Sequence, residues 1–126
     1  MEKKLKNYEL SVLVFLQNKD PRYERWLEEE LEYVGLSGRE LRKIVETEQE
    51  FRRELQNNNY HFVIGILPSD ISIDPSQVHI APPAPNHTLN QYFAFLTNLK
   101  KGLEEKFGIN EAYWKREYVP AQPQNL

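Results

Sequence analysis

Cysteine is absent from the 126-residue chain, which removes disulfides, iron–sulfur clusters and thiolate zinc sites together. Basic residues are too few to dominate: 16 Lys and Arg stand against 19 Asp and Glu, a formal net charge of −3. That balance supplies no electrostatic drive toward nucleic acid or an anionic membrane. No apolar run approaches the ~20 residues of a membrane span. The start, MEKKLKNYEL, lacks the apolar core of a signal peptide. These absences point to an intracellular, cytoplasmic protein. Glycine is scarce as well, and Gly35, Gly38, Gly65, Gly102 and Gly108 never cluster into a phosphate-cradling loop.

What remains is an ordinary globular composition, 40% hydrophobic and 28% charged. The length suits one domain over residues 1–119, followed by a loose tail, PAQPQNL, at 120–126. Leu10, Val12, Leu13, Val14, Phe15 and Leu16 form a nearly unbroken apolar run, a strand that wants burial on both faces. Asp20 and Pro21 then open a helix, along which Tyr23, Trp26, Leu27, Leu31 and Val34 recur at helical spacing until Gly35 stops it. LSGREL predicts a second helix: Ser37 caps, Glu40 reaches back, and Leu36 staples onto Leu41. Leu41, Ile44, Val45, Phe51 and Leu55 carry that helix to the asparagines at 57–59. Together the two read as a helical hairpin laid over a sheet.

Residues 60–67 read as a second strand apolar on both faces, with Gly65 marking a bulge or a close approach by another group. Ile71 and Ile73, then Val78 and Ile80, alternate around an Asp74–Pro75 turn and predict a small β-hairpin. Pro82, Pro83 and Pro85 hold the next stretch extended. Thr88 and Gln91 form a capping box at the start of the longest stripe: Leu89, Tyr92, Phe93, Leu96, Leu99, Leu103 and Phe107. Gly108 ends this helix, Ile109 packs back on it, and Asn110 caps a short final helix through Tyr118. The order predicts an α+β fold: a small mixed sheet of three or four strands covered by a helical hairpin and one long C-terminal helix.

Candidate chemistry centres on the stretch VHIAPPAPNHTLNQ, residues 78–91. His79 and His87 stand eight residues apart across the prolines, a spacing that matches no metal-ligand motif, so neither a metal nor a cofactor is expected. His79 reads as a solvent-facing strand residue and His87 as cover for the first helical turn. Ser69 is the one candidate nucleophile near a histidine, and no nucleophile elbow surrounds it. Glu28, Glu29 and Glu30 read as one solvated helix face, and Asp70 and Asp74 as turn residues. Pro82 with Pro85, and Pro120 with Pro123, match the PxxP spacing of peptide ligands; the first lacks a basic flank, and the Lys115 and Arg116 before the second fall inside the predicted final helix.

GLSGREL resembles the turn and second-helix start of helix-turn-helix DNA-binding proteins. The segment behind it balances Arg39, Arg42, Lys43, Arg52 and Arg53 against Glu40, Glu46, Glu48, Glu50 and Glu54, so no basic face forms. Aromatic residues carry more weight. Tyr92, Phe93 and Phe95 cover more than one face of the long helix, and Tyr113, Trp114 and Tyr118 follow. The leading expectation is therefore a small interaction or regulatory module without catalysis, forming a homodimer or meeting a protein partner through Tyr92, Phe95, Tyr113, Trp114 and Tyr118. The rival expectation is a small hydrolase-like or ligand-binding protein with a cleft at Gly65, Ser69, Asp70, His79 and His87. Nucleic-acid binding ranks last.

Overall fold

The computed structural model describes residues 6–17, 20–36 and 39–109. Its frame is a four-stranded sheet of β1 (Val12–Phe15), β2 (Arg42–Val45), β3 (Phe62–Ile64) and β4 (Val78–Ile80), in the order β2-β1-β3-β4. Every pairing is parallel: Val12 meets Arg42 on one side and Phe62 on the other, and Phe62 meets Val78. α1 (Pro21–Tyr33) joins β1 to β2, α2 (Glu48–Asn57) joins β2 to β3, and α3 (Leu89–Phe107) follows β4.

β1 is central because both its faces are apolar. Alternate side chains leave a strand on opposite sides. Val12 and Val14 therefore join Phe62, Ile64 and Ile80 beneath α1 and α3. Leu13 and Phe15 join Val45 and Val63 beneath α2. On that second face the rings of Phe15 and Phe51 stack with centroids 4.6 Å apart.

The local signals at helix ends hold. The Asp20 carboxylate accepts the Arg22 N–H at 2.9 Å, with Pro21 in the first helical position. Thr88 and Gln91 bond reciprocally, and Gly108 closes α3 at φ 67°. The Ile109 N–H then donates to Leu103 O at 2.9 Å and its side chain is buried. Gly35 turns out of α1 at φ 87°.

The fold class is corrected: an all-parallel sheet with helices on both faces is α/β, not α+β with a mixed sheet. Two misread segments account for this. The predicted second helix is instead strand β2 followed by α2, whose cap is Thr47, accepting the Glu50 N–H at 3.1 Å. Ser37 lies outside the described residues. Ile44 and Val45 fit a helical stripe and a strand equally well, and the need of β1 for a partner on its open side decides between them. The Leu16 N–H donates to Val45 O at 3.0 Å. α1 and α2 consequently lie on opposite faces and form no hairpin.

The predicted β-hairpin at 71–80 is likewise absent. The Asp74 turn exists, its carboxylate accepting from the Ser76 N–H at 2.8 Å and the Ser76 hydroxyl at 2.7 Å. It leads, however, from an irregular segment into β4, which runs parallel to β3. Ile71 and Ile73 pack against the cluster beneath α2 instead of pairing as a strand. No helix among the described residues is long and apolar enough to cross a membrane.

Candidate functional site

In a doubly wound parallel sheet the ligand crevice lies at the carboxyl ends of the strands, where neighbouring connections depart in opposite directions. Here that point falls between β1, whose chain leaves toward β2, and β3, whose chain leaves toward β4. A crevice of about 310 Å³ opens there. Its walls are residues 15–17 after β1, Tyr23 of α1, Ile66 after β3, and residues 82–85 after β4.

Gly65 is not in the lining but sets how closely the two strands beside the crevice approach. Its φ is +155°, and a β-carbon there would stand 2.9 Å from both Phe15 Cβ and Phe15 O. Only glycine lets β1 and β3 approach this closely at their ends, the close approach expected of this residue.

The proline wall is tied down from two sides. The Tyr23 hydroxyl donates to Pro83 O, and burial raises its pKa above the ordinary tyrosine value. His87 Nδ1–H donates to Ala84 O at 2.7 Å. The His87 ring is buried against Trp26, with centroids 4.9 Å apart. The stretch 82–88 is thus a stiff connector whose histidine serves as a fastener.

None of the predicted cleft residues, Gly65, Ser69, Asp70, His79 and His87, lines the crevice. His79 Nε2–H donates to Gly65 O at 2.8 Å, so these two meet each other at the ends of β3 and β4. Asp70 is held bidentately by Arg52 at 2.8 and 3.0 Å, which keeps its carboxyl below the ordinary range. Arg52 in turn reaches Glu48 at 2.6 Å, and the group pins α2 to the segment after β3. Ser69 stands exposed in the adjoining turn. His61 lies at the opposite end of the sheet, where its Nδ1 accepts the Ser11 N–H at 2.9 Å and burial lowers its pKa.

Of the predicted interface, Tyr92 and Phe95 are core residues, exposed by 0% and 2%. Tyr113, Trp114 and Tyr118 lie outside the described residues, as does the tail at 120–126. Phe95 follows Tyr92 by three positions and precedes Leu99 by four, which keeps it on the buried stripe. Phe93 is the ring that points outward. Glu30 corrects the reading of a solvated acidic face: it is fully buried, and its Oε2 accepts the Tyr92 hydroxyl at 3.0 Å. Three consecutive helical residues sweep about 200° and cannot share one face.

Chemically, the described lining is apolar apart from the Gln17 amide and the engaged Tyr23 hydroxyl. The start of α1 adjoins it, but the Asp20 carboxylate occupies the N–H position an anion would use. No group of three metal-capable side chains exists among the described residues. Sequence reasoning missed residues 15–17, Tyr23 and Ile66 because they are ordinary apolar residues until strand order brings them together. The proline cluster was the one visible trace. Against known proteins, no family model, no curated protein and no solved structure matches this chain.

Proposed function

We propose that the chain is a non-catalytic, cytoplasmic protein-interaction module whose crevice receives an apolar anchor side chain of a partner. The carrying observation is the combination of an apolar lining at the sheet's switch point with Ile66, 73% exposed, at its lip. A single large side chain in a desolvated pocket is the common energetic centre of a protein interface. The volume lies at the small end of ligand pockets, which suits one ring better than a cofactor. The prolines stiffen the wall, so little ordering entropy opposes binding.

The test is a titration of the ¹⁵N-labelled protein with indole, a stand-in for an aromatic anchor. Saturable shifts at the amides of Phe15, Leu16, Gln17, Ile66 and Ala84, lost in Ile66→Asp, support the reading. Shifts scattered over the surface, or none at millimolar indole, reject it.

A further inference from the structure

The two outer strands of the sheet are not alike. β2 carries Arg42 and Lys43, charges of the kind that discourage a further strand from pairing. β4, Val-His-Ile, carries no such charge. In a parallel pair, each residue sends its N–H and C=O to the same neighbour. The Val78 N–H donates to His61 O at 2.9 Å, and Ile80 O accepts the Gly65 N–H at 3.1 Å. Both residues are therefore committed to β3. The intervening His79 directs its backbone N–H and C=O away from β3, to an edge where no further strand lies among the described residues, a donor and an acceptor placed for one more strand.

Beside that edge runs a groove of about 380 Å³ between residues 77–80 and α3. Gly102 brings the helix in closely: a β-carbon there would stand 2.8 Å from Val78 Cγ1 and 3.3 Å from Phe62 Cε1. The helical wall offers the Asn98 amide and the ammonium groups of Lys101 and Lys106 against one carboxylate, Glu105. Lys106 Nζ donates to Pro75 O at 2.8 Å, which fixes that charge at the amino end of the groove. A groove bounded by an edge strand and a helix is the setting for strand addition, in which main-chain bonds give affinity and flanking side chains give selectivity.

We propose that this groove takes an extended, acidic segment of a partner protein, which adds to β4 as a fifth strand. Main-chain bonds to His79 set the register, and carboxylates of the added strand reach Lys101 and Lys106. This site is separate from the crevice and does not depend on it.

The probe is the peptide acetyl-Ser-Glu-Val-Glu-Val-Glu-Ser-amide, compared with its lysine counterpart and with a version N-methylated at the central glutamate. The full chain is followed by amide shifts. The proposal expects the acidic peptide to shift Gln77, His79, Lys101 and Gly102 and to bind more weakly as salt rises. Lys101→Glu, an exposed change, should weaken it about fivefold, the upper range for one exposed ion pair. N-methylation should abolish binding without any change to the protein. Equal binding of the lysine peptide, or binding indifferent to N-methylation, overturns the proposal. So does sedimentation showing that a second copy already occupies β4, as a dimer lost in His79→Pro.

Discussion

The two faces of the sheet are built to different depths. Beneath α1 and α3 lies a continuous apolar layer that includes Trp26, Tyr92, Phe95 and Leu99 and closes over a buried Glu30–Tyr92 hydrogen bond. Beneath α2, among the described residues, only Leu13, Phe15, Val45, Phe51 and Val63 are buried, ringed by partly buried Leu55, Tyr60, Leu67, Ile71 and Ile73. The connection from β1 to β2 supplies a helix for the thick face. On the thin face, the irregular segment after β3 stands where a second helix could have lain. The crevice lies where the two meet, with Leu16 and Tyr23 from the thick side and Phe15 from the thin one. A site at such a seam can change one wall while the other holds.

The sharpest way to break this contrast is Phe51→Ala. It removes the one fully buried ring of α2, stacked on Phe15, and should cost about 3–5 kcal/mol by urea unfolding. Leu99→Ala on the thick face should cost about 2–5 kcal/mol. If the contrast is real, native-state hydrogen exchange will show the α2 amides opening well below the global unfolding free energy while the α3 amides track it. Equal protection of both helices would mean that the thin face is stabilised by something other than its apolar layer.

Gly65→Ala probes the seam itself. A side chain at φ +155° and 2.9 Å from Phe15 should destabilise by about 1–3 kcal/mol, and it should also abolish indole shifts at Phe15 and Ile66. A variant of unchanged stability would show that β1 and β3 can separate there without loss.

Thr47→Ala should lower stability by ~1 kcal/mol through loss of the α2 cap. This is the experiment that separates the observed fold from a single helix capped at Ser37, for which Thr47 would be an exposed mid-helix residue of no consequence.

The smallest expected effect is on pH. Burial lowers the His61 pKa below its ordinary 6.5, so the unfolded chain binds the proton more readily than the folded one. The stabilising contribution is complete above pH 6.5 and is lost as pH falls through the folded value. Urea midpoints at pH 7.5 and 5.5 should differ by more in the parent than in His61→Asn, whose side-chain oxygen can accept the Ser11 N–H at either pH.

What could be read from the sequence was whatever the backbone settles within a few residues. Asp20 with Pro21, Thr88 with Gln91, Gly35 and Gly108 act over one helical turn, and each stands as read. Gly65 was also legible, because an isolated glycine in an apolar strand needs a reason. Arg42–Val45 was not, since its state depends on β1, thirty positions away. A signal was nevertheless present: Thr47 and Glu50 match the same capping pattern that was recognised at Thr88, immediately before the apolar Phe51. Glu30 was misjudged by composition, where the angular step between residues would have separated it from Glu29. The crevice could not be found locally, because its walls come from the ends of three strands and become neighbours only through strand order.

The pairing of β1 has a consequence for synthesis. β1 is made well before β2 and earlier still than β3, yet its backbone groups find their partners in those two strands. Until both crossovers close, this segment waits with apolar faces and two open edges, a state prone to stray association and slow to resolve. Of the four described strands, β1, buried along its whole length, is the one that waits longest for its partners on the ribosome.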